Sequence, residues 1–231
     1  MSESKRVAII TGGASGIGKA AAERFSKEGI IPVIADLNGE AAESTAKELG
    51  GMGIGLDVTD YDACRKAADA VYEKYGRIDI LVACAGGSSA RILNQPGNFA
   101  DIDISRVRFG INLNLMGAIY ICHAVINYMI KARYGRIIFL GSAAGIVGAA
   151  GGVDYSASKG GLMSFTKSLA MEVGRQGINV NIVSPGPIMT RPGMANGNTF
   201  LGRCGEPEEV ASRINYLASD EASVLTGQNY I

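Results

Sequence analysis

The chain has 231 residues, 47% of them hydrophobic, which is enough for one sizeable core, and no linker or low-complexity segment divides it. Its 22 basic and 22 acidic residues cancel to a formal net charge of zero, leaving no basic face for nucleic acid and no polybasic run for anionic lipid. The amino terminus runs straight into an apolar pattern without a leader, and no later stretch reads as apolar for long enough to span a bilayer. A cytoplasmic protein with one domain over residues 1–231 is expected.

The first element is the β-branched and apolar run Val7-Ala8-Ile9-Ile10, followed by Thr11-Gly12-Gly13-Ala14-Ser15-Gly16-Ile17-Gly18 and helical periodicity over residues 17–28. This is strand, glycine turn, helix. The glycines let the backbone turn tightly and approach a pyrophosphate, while the helix amino terminus offers N–H groups and the positive end of its dipole. A second extended run, residues 31–35, ends at Asp36, where a carboxylate can accept both hydroxyls of an adenosine ribose. Asp36 would repel a 2′-phosphate, and neither Ser15 nor Leu37 and Asn38 supplies a compensating cation, which favours NAD over NADP. The competing reading is that Asp36 caps the helix that follows.

Helical patterns then cover residues 40–49, 61–75, 106–132, 155–175 and 208–218, alternating with extended runs at 53–56, 78–83, 136–140 and 179–183. Such alternation predicts an α/β fold, a doubly wound, mostly parallel sheet of Rossmann type. Ligands of that architecture bind beyond the carboxyl ends of the strands, where the glycine turn, Asp36, Ser142 and Pro185 fall.

Ser142 follows the apolar run 136–141, which delivers a hydroxyl at the end of a buried strand. Tyr155 and Lys159 lie four apart, on one face of a helix. A phenol of ordinary pKa near ~10 is a poor base at neutral pH unless a cation stabilises its phenolate, and Lys159 is placed to be that cation. Hydroxyl, phenol and amine together suit proton transfer at an alcohol or carbonyl oxygen. The cysteines, Cys64, Cys84, Cys122 and Cys204, show neither C-x-x-C spacing nor scaffold density and read as reduced, mostly buried thiols. The single histidine, His123, sits in an apolar helix and reads as structural, so neither a zinc site nor a Ser-His-Asp hydrolase is expected.

The glycine spacing, Asp57 in Leu56-Asp57-Val58, Ala85-Gly86 after the fourth strand, Asn114 in Asn114-Leu115-Met116-Gly117, Ser142, Tyr155-x-x-x-Lys159 and Pro185-Gly186 recur in one order. In these motifs the chain resembles the short-chain dehydrogenase/reductase family from about Lys5 to its last residue. The resemblance implies an NAD-dependent oxidoreductase that interconverts a secondary alcohol and a ketone, with Asn114, Ser142, Tyr155 and Lys159 as the catalytic set. Lys159 would also hold the nicotinamide ribose, and Asn114 would hold a water in a proton relay. Cofactor contacts are implied at Gly12, Ser15, Gly16, Ile17 and Gly18, at Asp36, at Asp57 and Val58 by the adenine, and at Ala85 and Gly86. Tyr155, Lys159, Pro185, Gly186, Ile188 and Thr190 complete them. A homo-oligomer, commonly a tetramer, is implied as well, with helices 106–132 and 155–175 packed on copies of themselves; Leu162, Met163, Phe165 and Leu169 could serve that interface or the core. The nearest variant is reduction of a 3-oxoacyl thioester. The reading from another class is a sensor or scaffold that binds NAD without turnover, which the presence of all four catalytic residues disfavours.

Several segments depart from the family pattern. Ala83-Cys84-Ala85-Gly86 stands where Asn-Asn-Ala-Gly is usual, so smaller, less polar groups replace amides in the central sheet. The lid over residues 190–202 is short and rich in Gly and Asn, which suggests an open or mobile pocket. The sequence also stops at Gln228-Asn229-Tyr230-Ile231, where relatives continue through the last strand. The loop over 87–108 reads as long and carries Arg91, Arg106 and Arg108, while Arg191 lies in the lid. These arginines either clamp a carboxylate, sulfonate or phosphate on the substrate or are solvated surface cations.

Overall fold

β-branched and apolar runs become the strands of a single sheet. The computed structural model describes residues 5–191 and 199–231. In it β1 (Val7–Thr11), β2 (Ile31–Asp36), β3 (Met52–Gly55), β4 (Ile80–Ala83), β5 (Gly135–Leu140), β6 (Ile178–Val183) and β7 (Asn229–Tyr230) pair in parallel in the order β3-β2-β1-β4-β5-β6-β7. The order reverses between β1 and β4, which opens a crevice at the carboxyl ends of those two strands.

Helices cover both faces, and strand residues alternate between them. Val7, Ile9, Val33, Leu81 and Phe139 pack with α3 (Tyr61–Tyr75), α6 (Gly117–Ala132) and α8 (Val153–Val173). Ala8, Ile10, Ile34, Val82 and Ile138 face α1 (Gly16–Lys27), α2 (Gly39–Leu49) and α9 (Pro207–Ala218). This is the doubly wound α/β sandwich that the alternation of patterns predicts. Leu162, Met163, Phe165 and Leu169 all join the first of these cores, and the Phe165 ring meets Phe139 edge-on at 5.7 Å.

The departures from expectation have local causes. The loop after β4 contains α4 (Ser89–Ile92), and α5 (Ile104–Ile111) begins before the predicted helix does, N-capped by Asp103, whose carboxylate accepts from Ser105 N at 2.7 Å. Between α5 and α6 the helix widens into a π turn, Asn112–Met116, which no period count foresees. The stretch Ile104–Ala132 is also apolar enough by length and composition to cross a membrane, contrary to the sequence expectation. Its α6 part packs on α3, β4 and β5 and carries core residues Ile121, Val125 and Met129 on one face, as core helices of α/β proteins do. A second four-residue helix, α7 (Ala144–Val147), lies against α8; an added Cβ on Gly145 would stand 2.7 Å from Gly160 N.

At the Ala83-Cys84 position the sheet runs without interruption: Ala83 pairs with Thr11 and Phe139, and the Thr11 hydroxyl accepts from Ala85 N at 3.2 Å. At the other side of the sheet, Asn179 and Asn181 of β6 donate to the carbonyls of Ser223 and Leu225, holding the segment that leads into β7. His123 is exposed and shares a 2.7 Å hydrogen bond with the Tyr61 hydroxyl, so it staples α6 to α3 at the surface instead of lying within an apolar environment.

Candidate active site

The glycine turn is shaped by close backbone approaches. Gly12 has φ of 64°, and a Cβ there would stand 3.0 Å from the Ala85 backbone, so the turn lies against the end of β4. A Cβ on Gly18 would lie 2.2 Å from the Gly12 carbonyl oxygen, so α1 is seated directly on the turn. Ser15, the N-cap of α1, is exposed and makes no side-chain cap bond, which leaves first-turn amides of Gly16, Ile17 and Gly18 facing the crevice as donors for an anion. Thr190 stands across from Gly16, its Cγ2 3.4 Å from where a Cβ would be.

Asp36 ends β2, and its carboxylate accepts from Ala14 N and from Asn38 N, both at 3.1 Å. It does not cap α2: that N-cap is Asn38, which accepts from Ala41 N. The carboxylate is therefore held at the lip of the glycine turn, half-buried, with no cation in the next two positions. Asp57 is exposed and folds back on Thr59 N and Oγ1 at 2.9 and 2.7 Å, while Val58 is buried against Gly117. Glycine turn, helix amino terminus and Asp36 thus form a cradle of the shape and donor set that a dinucleotide needs.

Ser142 and Tyr155 come together at the carboxyl end of β5, close enough for the Ser142 hydroxyl to favour the ionised phenol, while Ser142 Oγ accepts from Ala144 N at 3.2 Å. Tyr155 sits one turn below Lys159 on α8, with Lys159 Nζ 5.6 Å from its ring centroid. Lys159 is buried and donates to Leu140 O at 2.6 Å; burial pulls its pKa down to about 8. Burial likewise raises the Tyr155 phenol above its ordinary value, against the lowering effects of the neighbouring Ser142 hydroxyl and the nearby Arg191 charge. The expected depression of the phenol by Lys159 is thus not the direction found, because desolvation outweighs the charges around it.

Asn114 lies within the π turn, fully buried, and its amide is already engaged. It accepts from Gly87 N at 2.8 Å and donates to Gly87 O and Gly110 O at 2.9 and 3.0 Å. Its side chain fastens the loop after β4. Gly86 lies between Asn114 and Lys159, and a Cβ there would stand 2.6 Å from Asn114 Oδ1. Pro185 O accepts from Ala143 N at 3.1 Å, so the Pro185-Gly186 segment closes over the strand end that carries Ser142. Ile188 bridges to Gly205 in the next segment.

Of the arginines considered as anion clamps, Arg91 and Arg108 are exposed. Arg106 is neither a clamp nor a surface cation: it is fully buried, with all its reach spent inside the protein. Arg191 acts electrostatically on the Tyr155 phenol; the lid residues 192–198 beyond it lie outside the described residues. Sequence reasoning missed Thr11 and Asp154, and named Arg106 only as an anion clamp or a solvated cation. Asp154 had a signal, its place directly before Tyr155, whereas nothing local links it to Arg106.

Comparison with known proteins places residues 6–199 within the model of the short chain dehydrogenase family. The 3-oxoacyl-(acyl-carrier-protein) reductase FabG of Thermotoga maritima is 40% identical, over 96% of this chain and 94% of the relative. The 7alpha-hydroxysteroid dehydrogenase of Bacteroides fragilis is 34% identical, over 98% of this chain and 92% of the relative. The crystal structure of gox2181 superposes with a TM-score of 0.90 at 32% identity, covering 99% of this chain and 95% of that one.

Proposed function

The chain belongs to the short-chain dehydrogenase/reductase family, nicotinamide-dependent oxidoreductases, and on that premise we propose that it interconverts a secondary alcohol and a ketone with NAD(H). The observation that carries this reading is the gathering of Ser142, Tyr155 and buried Lys159, whose Nζ stands 5.6 Å from the Tyr155 ring, at the mouth of the same crevice as the glycine turn. Bound nicotinamide supplies hydride acceptance and donation at carbon. The rest is work for the chain. Ser142 hydrogen-bonds the substrate oxygen, and Tyr155 accepts the hydroxyl proton as the carbonyl forms, or returns it in the reverse direction. Lys159, 5.6 Å from the Tyr155 ring, would place a positive charge beside the phenolate so produced and would bond the ribose of a bound nicotinamide. Asn114 fastens Gly87 beside that space, and because its amide is engaged, a water relaying the proton there would have to be held by its backbone.

NAD is preferred to NADP in this reading because a 2′-phosphate would meet the Asp36 carboxylate, and neither of the residues that follow it, Leu37 and Asn38, is a cation. Reduction of a 3-oxoacyl thioester is the second reading, supported by the Thermotoga relative's name and by the small residues Gly148, Ala149, Ala150 and Gly151 in the loop that leads into the helix of Tyr155. We further propose a cytoplasmic homotetramer. The partly apolar concavity lined by Val107, Phe109, Ile111 and Met116 is the surface for contact between copies.

The test is the absorbance of reduced nicotinamide across a panel of neutral, carboxylated, sulfonated and thioester-linked substrates, with NADP run in parallel. Tyr155→Phe should lower kcat by about a hundred- to ten-thousand-fold, the usual worth of a positioned acid or base, with NAD affinity retained. Retained turnover would remove Tyr155 from the chemistry. NAD binding with no turnover of any substrate would turn the reading into that of a sensor.

A further inference from the structure

Arg106 and Asp154 form the most deeply buried charged pair among the described residues, with side chains 1% and 0% exposed. Arg106 stands on α5; Asp154 opens the first turn of α8, one residue before Tyr155. Each guanidinium nitrogen has a partner, and the partners come from different segments. Nε donates to Ser89 Oγ of α4 at 3.2 Å, one terminal nitrogen to Gln95 O at 3.0 Å, and the other to Gly151 O at 2.6 Å. That last nitrogen also lies 3.7 Å from Asp154 Oδ1. The Asp154 carboxylate has no hydrogen-bond partner of its own and is wedged against the α-carbon of Gly110, so Arg106 is the charge that balances it. A buried charge is retained only where it is paired.

We propose that Arg106 is a positioning residue for the alcohol–ketone chemistry. It clamps the loop after β4, through Ser89 and Gln95, to the small-residue loop before α8, through Gly151, and so fixes both walls of the substrate cleft and the turn that carries Tyr155. Asp154 is its counter-ion and takes no part in proton transfer. The inference rests on the oxidoreductase reading for its catalytic consequence, but the clamp itself is a structural claim that is tested without turnover.

The deciding variant is Arg106→Lys, which supplies one positive charge for Asp154 but cannot reach three segments from a single ammonium. It should remain folded by circular dichroism and bind NAD as the parent does. Amide exchange in the peptide 148–158 should accelerate relative to α9, and kcat should fall at least about ten-fold, since a displacement near ~1 Å is worth on the order of a hundred-fold. Asp154→Asn, which keeps the shape and drops the charge, should leave the pH dependence of turnover unchanged. The pair Arg106→Gln with Asp154→Asn removes both charges together, so a stranded carboxylate cannot unfold it, and it should share the exchange and kcat defects. Unchanged exchange over 148–158 in both Arg106 variants would overturn the clamp, whether or not any substrate is turned over. A changed pH profile in Asp154→Asn would overturn the counter-ion role. A parent that turns over nothing counts against the oxidoreductase reading alone, because the exchange arm still decides the clamp.

Discussion

Replacing Lys159 by methionine should stabilise the fold at neutral pH, and the size of the gain should depend on pH. The ammonium is 3% exposed, and burial lowers its pKa from 10.5 to about 8. Between those values the unfolded chain binds a proton that the folded chain does not, so this group's contribution to stability rises with pH across that window. Below about 8 both states are protonated and the folded state carries the whole penalty. The gap between 10.5 and about 8, at about 1.4 kcal/mol per pH unit, is worth about 3 kcal/mol. Methionine has similar length and no charge, but it forfeits the 2.6 Å bond to Leu140 O, worth about 1 kcal/mol, so the net gain at pH 7 is about 2 kcal/mol. Absolute stability is a poor readout. Cys64, Cys84 and Cys122 are pushed up to about 12, and they lower stability as pH climbs through 9 and beyond. The difference between parent and Lys159→Met cancels those thiols to the extent that Cys84, which interacts with Lys159, is unperturbed. Urea unfolding at a series of pH values should show the variant's advantage largest below pH 8 and declining by about 3 kcal/mol toward pH 10.5. An advantage independent of pH would mean that Lys159 is not held at a penalty in the free protein.

Asp36→Ala should reduce the preference for NAD over NADP by about ten- to a hundred-fold, the worth of hydrogen bonds to a charged acceptor; an unchanged ratio of kcat/KM values would leave the carboxylate a purely structural partner of Ala14 and Asn38. Gly18→Ala forces a methyl against the Gly12 carbonyl and should cost about 1–3 kcal/mol, read as a lower Tm together with weakened dinucleotide binding. Because the Tyr155 phenol lies above its ordinary value and acts as base in oxidation and acid in reduction, oxidation should speed up with rising pH while reduction slows. A profile with the same slope in both directions would place the titrating group elsewhere.

Much of this could be read from the chain because its signals are local. The run Val7-Ala8-Ile9-Ile10 is apolar on both sides, as a central parallel strand must be, and the glycines after it mark a turn that side chains would block. Tyr155 and Lys159 share a helix face by spacing alone. The features that stayed hidden depend on what packs against them. A π turn differs from an α-helix by one residue per turn, and the apolar pattern around Asn114 fits both. Asp36 reads as a ribose-binding carboxylate with a helix cap as the competing reading, which stands until Asn38 is seen to do that work. Arg106 reads as one more surface cation because its partners, Ser89, Gln95, Gly151 and Asp154, are brought to it only by the tertiary fold. The direction of the Tyr155 shift was inverted for a related reason: spacing reports charges on the same helix but not the water removed by the neighbouring segments.

The raised thiols carry a practical consequence. A thiol that ionises only near pH 12 offers almost no thiolate at neutral pH, so Cys64, Cys84 and Cys122 are protected from alkylating and oxidising reagents for as long as the fold stays closed. Opening restores ordinary acidity to each of them. The rate at which a small maleimide consumes these sulfurs therefore clocks the opening of the sheet region by region, Cys64 for α3, Cys84 for the end of β4 and Cys122 for α6, with no label added to the molecule.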